Sequence, residues 1–509
     1  VVGRRLSRLG DEVETVLRSA AVIGYEFDVD LLADVVGSDA DQVLDALDTA
    51  AAANLVVEVA VDRHRFAHAL VRETLHGELS SSRRARQHRK VAEALEACHE
   101  GDIDPIVAEL ATHWAEASSG GDPTRAIELA LRAGVLASDR GAYENAAAWF
   151  AHTIELMDGD SDFDADRRRT LVRLAQSQSV SGSSSEARAN ALAAARMALG
   201  AGDAEVASDA LGVVSRSSFI ETDEADPEKI ELLGHVLDMD SLTAAQRASL
   251  LGQLATEYIF VRDIAARRRV QDTLRELLPT LEARDLGPVF ASAGYFRASL
   301  GHALVVESTA MARRAAVESA PIHAGGPWGN LFYGALAAGA RAIAEESVRE
   351  VKSRAAGSTN RFGAFAHMSD SMLQVIDGNI DAATASMRAM DEAMRSIELP
   401  ESANYHTSTR LMIRRELGEL ADLGYIADVA ETLGHPAGTA RPIAAFIRVH
   451  QGNLDAASAA LDLVRGEQFS DDAGYPLVVS LWSEVARATN DLEMCRVLAD
   501  EISLTSGLH

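Results

Sequence analysis

Two short stretches of this chain are nearly the same: Gly378-Asn379-Ile380-Asp381-Ala382-Ala383 and Gly452-Asn453-Leu454-Asp455-Ala456-Ala457. Each reads as a turn between two helices. Glycine ends the first helix in a left-handed conformation. Asp381 or Asp455 is expected to cap the second. Ala383 or Ala457 lets the helices cross closely, where a larger side chain would hold them apart. The glycine landmark recurs at Gly141, Gly182, Gly301, Gly339 and Gly418, and Ala146, Ala187 and Ala344 repeat the alanine. Most intervals are about 40 residues, and the gap from Gly182 to Gly301 is about three of them. A unit of that length is a helical hairpin, which buries its apolar face only by stacking on a neighbour. The chain from about residue 103 onward therefore reads as helix, and its hairpins are expected to stack into a solenoid.

The first hundred residues follow another pattern. Leu6, Leu9, Val13, Val16, Leu17 and Ala20 share one helical face. Asp28-Val29-Asp30 is expected to start a short helix through Leu31, Leu32, Val35 and Val36, which Gly37-Ser38 ends. Asp39 starts a third, with Val43, Leu44 and Leu47 inward and Asn54 at its end. The period then changes. Residues 55–61 are rich in β-branched side chains, Asp62-Arg63 is a turn, and His64-Arg65-Phe66 is a return strand. Leu70, Val71, Leu75 and Leu79 mark a closing helix. Three short helices, a β-hairpin and a closing helix describe a winged-helix module.

The expected organisation is a winged-helix domain at 1–79, linker helices at 80–120 and a helical-repeat solenoid at 121–509. Breaks in the solenoid are expected at 217–226 and at 320–330, where Pro321, Gly325, Gly326 and Pro327 cluster. The expected fold class is mainly all-α, with one small β-hairpin.

Composition agrees with that fold and excludes several functions. Hydrophobic residues are 47% and charged residues 25% of the chain, ample for a folded core. Aromatics are only 5%, which favours close-packed helices over sheets. The net charge of −29 opposes non-specific binding to nucleic acid or anionic membranes. Cys98 and Cys495 are the only cysteines, so a disulfide framework is excluded and a reducing, cytoplasmic setting is expected. No apolar run approaches the roughly 20 residues of a membrane-spanning helix.

No catalytic constellation is present, and the chain is not expected to be an enzyme. A P-loop needs Gly before its Lys, because amides and lysine together cradle the phosphates. Lysine occurs only at Lys90, Lys229 and Lys352, and none follows Gly. His64 and His68 have zinc-protease spacing, but Arg65 stands where that motif needs Glu, so no metal site is expected. The third helix is the one a winged helix would lay in a DNA groove. It carries Asp39, Asp41, Asp45 and Asp48 and no basic residue, so phosphates would be repelled. The run from Arg83 to Lys90 is the one DNA-friendly feature, and is read as a solvated or interdomain helix face. Direct DNA binding is not expected.

Several stretches carry a resemblance. They are Phe66-Ala67-His68-Ala69-Leu70-Val71-Arg72-Glu73-Thr74-Leu75, then Arg83-Arg84-Ala85-Arg86-Gln87-His88, then Val91-Ala92-Glu93-Ala94-Leu95-Glu96. With Ala20-Ala21-Val22-Ile23-Gly24 and Phe27, these residues resemble large bacterial signal-transduction ATPases (the STAND class). That class includes LuxR-type ATP-dependent transcriptional regulators and cyclases with an ATPase module. Ala111-Thr112-His113-Trp114, Arg132-Ala133-Gly134 and Tyr143-Glu144-Asn145-Ala146-Ala147 are similar to the first tetratricopeptide-type (TPR-like) repeats of that class. The resemblance covers residues 1–160, with a further patch at 250–269.

The resemblance implies a chain order of P-loop ATPase, winged helix, helical repeats and often an output domain. It implies that the winged helix clamps the nucleotide-binding domain, and that ATP and ADP are the cofactors of the whole assembly. His68 matches a histidine that approaches the ADP phosphate in the off state, and Arg72 is a weaker candidate for the same surface. These 509 residues contain neither the ATPase nor a helix-turn-helix output domain. The chain opens Val-Val-Gly, without Met or a signal peptide. It is therefore expected to be a fragment, a split-gene product or a free-standing sensor half. The leading expectation is the sensor portion of such a regulator, with a protein or small-molecule inducer on the solenoid. The alternative is a stand-alone repeat scaffold for protein–protein interaction.

Overall fold

A computed structural model shows a mainly α-helical chain with one small sheet. It describes residues 9–99, 101–118, 121–214, 225–261, 264–282, 339–355, 361–395, 407–432, 438–467 and 475–505, with isolated positions within 285–336 and Phe469. Leu6, the expected turn at Gly301, residues 217–224 of the first expected break and most of the second lie outside them. The chain divides into two compact units, Val1–Ala194 and Ala195–His509.

In the first unit, α1 (Asp11–Ile23) buries Val13, Val16, Leu17 and Ala20, and Asp11, Glu12 and Glu14 stand in its first turn. Acids there favour the positive end of the helix dipole. Strand β1 (Glu26–Asp28) follows, and Asp28 caps α2 (Val29–Val36), its Oδ1 accepting from the amides of Asp30 at 2.9 Å and Leu31 at 3.3 Å. Gly37 ends α2 at φ 78°. Asp39 caps α3 (Ala40–Ala52) by accepting from the Asp41 amide. Asn54 and Asp62, both with positive φ, turn the chain into β2 (Val56–Ala60) and β3 (Arg63–Phe66).

The sheet order is β1-β3-β2, and both pairings are antiparallel. The sequence pointed to a hairpin alone. The structure adds β1, whose three residues are too few to show a period. Phe27 of β1 lies on Phe66 of β3, with centroids 5.6 Å apart, and both rings are buried.

Helices α4 (Ala69–Gly77), α5 (Ser81–Cys98), α6 (Val107–Ala117), α7 (Thr124–Asp139), α8 (Tyr143–Leu156) and α9 (Asp164–Ser181) complete this unit, with α10 (Ser184–Ala201) crossing its boundary. From α5 to α9 each helix packs on the next. One apolar core runs from Val13 through Phe66, Val91, Leu95 and Leu110 to Ala133. Residues 80–120, which the sequence suggested as linker helices, are thus part of that core. Their apolar stripe lies on the N-terminal helices, because α5 packs against both α1 and α2.

The second unit repeats the helical pair. Its described helices are α11 (Ala204–Val213), α12 (Pro227–Leu237), α13 (Ala244–Val261), α14 (Ile264–Leu277), α15 (Arg341–Ala355), α16 (Arg361–Ile376) and α17 (Ile380–Arg395). They continue as α18 (Thr407–Leu417), α19 (Gly424–Ala430), α20 (Ala440–His450), α21 (Leu454–Asp462), α22 (Tyr475–Ala488) and α23 (Leu492–Thr505). Neighbours pair as α13 with α14, α16 with α17, α20 with α21 and α22 with α23, and α20 also meets α22.

The turns behave as their sequence requires. Gly378 and Gly452 have φ 74° and 76°. The next amide reaches back across the turn, from Asn379 to the Gln374 carbonyl at 2.8 Å and from Asn453 to that of Arg448 at 2.9 Å. Ala146, Ala344, Ala383 and Ala457 are fully buried where their helices cross. One detail differs from expectation. The cap of α21 is Asn453, whose Oδ1 accepts from the Ala456 amide, and Asp455 sits inside the first turn. Asp381 likewise sits in the first turn of α17. At those positions an acid favours the helix dipole without capping. Two further turns carry the same backbone bond: at Gly202 the Asp203 amide meets the Ala198 carbonyl, and at Asn490 the Asp491 amide meets that of Ala486.

Candidate functional site

The junction between β3 and α4 holds His68. Its backbone is extended, at φ −143° and ψ 138°, and it occupies the N-cap position of α4. The chain is pinned on both sides: the Ala67 amide donates to the Leu55 carbonyl at 2.9 Å, and the Val71 amide to that of His68 at 3.0 Å. The imidazole makes no capping hydrogen bond and is exposed. Such a ring, at the start of a helix whose first amides point outward, can donate to an anion.

His64 belongs to a different environment. It is buried and lies parallel to the Phe27 ring, with centroids 6.3 Å apart. The two histidines share no face, and among the described residues no group of three or more His, Cys, Asp or Glu is placed to hold a metal ion.

Arg72 stands one turn further along α4. Its Nε donates to the Ala21 carbonyl at 3.1 Å, which ties α4 to the last turn of α1. The side chain is half-buried and already engaged, so the structure places it in the packing between two helices.

The surface charges are arranged as the sequence suggested. Asp39, Asp41, Asp45 and Asp48 are all exposed on or beside α3. The basic run lies on α5, where Arg83, Arg86, Arg89 and Lys90 face water while His88 turns inward. Cys98 and Cys495 are both free thiols. Burial, with the carboxylates of Asp34, Asp28 and Asp30 nearby, pushes the Cys98 thiol above its ordinary value, which disfavours the reactive thiolate. No helix among the described residues is long and apolar enough to cross a membrane.

Sequence reasoning missed one cluster. His76 of α4, His88 of α5 and His113 of α6 come together, with His88 Nδ1 2.9 Å from His113 Nδ1. The signal was present in the helical pattern. His88 shares a stripe with Val91, Ala92 and Leu95, and His113 with Leu110 and Ala117.

No protein-family model matches this sequence, and no curated protein matches it. Several solved structures match this chain, and three of them follow. One is a STAND protein with a tetratricopeptide repeat sensor from Pyrococcus horikoshii, 12% identical, with a TM-score of 0.30 over 99% of this chain. This chain spans 65% of that structure's length. Another is a chain of the APC/C hetero-tetramer Cut9-Hcn1, 11% identical, with a TM-score of 0.30 over 93% of this chain and 91% of that one. The third is a circular tandem repeat protein with novel repeat topology and enhanced subunit contact surfaces, 15% identical, with a TM-score of 0.13 over 96% and 94% of the two chains. Matches this loose carry no conclusion about this chain.

Proposed function

We propose that this chain is the sensor and clamp portion of a STAND-type, ATP-dependent regulator of signalling or transcription. In this reading the N-terminal module is a winged helix that sits on an ATPase domain supplied in cis or in trans. The helical repeats bind a protein or a small-molecule inducer. Inducer binding shifts the ATPase between closed and open populations, through different contacts in each. The chain contributes no chemistry of its own and works in the cytoplasm.

One observation carries the reading. His68 stands exposed at a helix start, held by a pinned backbone and left without a capping bond. A histidine that merely packed would be buried, and one that merely capped would bond the amides of α4. The acidic α3 supports the same direction, because it repels the DNA backbone that a winged helix would otherwise grip.

The test is nucleotide retention by the chain together with its ATPase domain. His68→Leu is expected to release ADP faster and raise basal output. Unchanged ADP release and unchanged output would remove the phosphate role. Failure of any ATPase domain to bind residues 1–194 would leave the repeat scaffold as the reading to pursue.

A further inference from the structure

His76, His88 and His113 form a row. His76 Nε2 lies 3.5 Å from His88 Nε2, and His88 Nδ1 lies 2.9 Å from His113 Nδ1. Each comes from a different helix, α4, α5 and α6. His88 and His113 are buried and His76 is half-buried. Because His88 engages a neighbour with each of its nitrogens, the three rings do not converge on a point that a metal ion could share.

We propose that this row is a two-proton latch, which holds α4 against the α5–α6 pair at neutral pH and releases it on acidification. The reasoning is a count of hydrogens. A neutral imidazole carries one N–H, and each N···N contact needs one hydrogen between its two nitrogens. The two contacts use two hydrogens, and the third sits on an outer nitrogen, His76 Nδ1 or His113 Nε2. One added proton fills the other outer nitrogen, and both contacts survive. A second added proton has no place except inside a contact, where two N–H groups then face each other. That contact opens.

The surroundings keep the row neutral. Burial pulls His88 down to about 4, helped by His76 and by the Arg84 and Arg72 guanidiniums. Burial likewise pulls His113 down to about 4, with His88 and Arg72 adding to it and Glu116 opposing. His76 is lowered by burial, Arg72 and Arg84 against Glu116. The other packed helices send their charges elsewhere. Arg18 of α1 pairs with Glu14 and Glu78, Asp34 of α2 lies near Cys98, and Arg125 and Arg132 of α7 pair with Glu96 and Asp104. A histidine lowered on folding contributes stability that is complete above about pH 6.5 and is lost as pH falls toward its folded value. The latch therefore opens between about pH 6.5 and pH 4. It stands independently of the nucleotide reading.

The test is amide hydrogen exchange of the full chain from pH 7 to pH 4, corrected for the intrinsic pH dependence of exchange. The opening constant of α4–α6 is expected to rise more steeply than tenfold per pH unit, while α8 and α9 stay protected. In His88→Gln, which keeps polarity but does not titrate, the rise is expected to be shallower than in the native chain, by up to about tenfold per unit for the one titrating group removed. If that variant does not fold, His76→Gln, at the half-exposed end, is expected to flatten the slope in the same way. Equal slopes in variant and native chains would overturn the latch. So would protection unchanged down to pH 4, or loss of protection in α8 and α9 together with α4–α6.

Discussion

Lys229 and Glu257 meet at 3.0 Å with neither side chain in water, at 2% and 0% exposure. The Lys229 ammonium also donates to the Val214 carbonyl at 2.8 Å, and the second Glu257 oxygen accepts from the Asp226 amide at 3.1 Å. Two buried charges are tolerated when paired and hydrogen-bonded, and removing one strands the other. Lys229→Met alone and Glu257→Leu alone are each expected to cost about 3–5 kcal/mol. The double variant is expected to cost less than either single one. Urea midpoints of the four proteins check this, and a double variant as damaged as the sum of the singles would contradict it.

The repeat turns give a second prediction. Gly378→Ala forces a side chain into a left-handed turn and is expected to cost about 1–2 kcal/mol. Asn490 already holds that conformation, at φ 61°. Asn490→Gly is expected to change stability by less than about 1 kcal/mol, because glycine reaches the left-handed region without a Cβ penalty. Chemical denaturation of both variants decides the point.

Gly134 has no room for a side chain. A Cβ there would lie 2.6 Å from Cε1 of Phe150, across the α7–α8 crossing. Gly134→Ala is expected to cost about 1–3 kcal/mol by overpacking. The cost is expected to shrink in a Phe150→Leu background, where the ring edge is gone. Equal costs in both backgrounds would show that the strain lies elsewhere.

Arg72 is expected to affect stability and titration together. Arg72→Met removes the bond to the Ala21 carbonyl, at a cost of about 1–3 kcal/mol. It also removes a cation that lowers His76, His88 and His113, so all three should titrate at higher pH. Their folded values then lie nearer the unfolded one, so the acid loss of stability is expected to be smaller than in the native chain and complete at a higher pH. Thermal melts at pH 7, 6 and 5 follow it.

His68 should behave in the opposite way. It neither caps nor packs, so His68→Leu is expected to leave the stability of the isolated chain within about 0.5 kcal/mol. A loss well beyond that figure in a melt would mark His68 as a structural residue.

The helical-repeat architecture was legible because its turns need glycine at fixed positions and its crossings need alanine. Gly202 was overlooked because it falls inside the long interval between Gly182 and Gly301, and Asn490 because it does glycine's work under another name. The N-terminal caps at Asp28 and Asp39 were legible as local chemistry, since each bonds an amide two residues on. The histidine row was hidden for the opposite reason. A lone histidine on an apolar stripe usually means a satisfied core residue, and only the packing of α4, α5 and α6 shows the partners. Pattern also marks where helices begin and end more readily than which ones share a core, so α5 and α6 passed for linkers.

The core from Val13 to Ala133 sets a smallest heritable piece of this chain. Val91, Leu95 and Leu110 lie on it from one side of residue 80, and Leu17, Leu32 and Phe66 from the other. A cut at residue 80 would bare apolar side chains on both pieces, at about 1.5–3 kcal/mol for each one fully uncovered. A rearranged chain is therefore expected to keep its N-terminal module together with the helices up to Ala133.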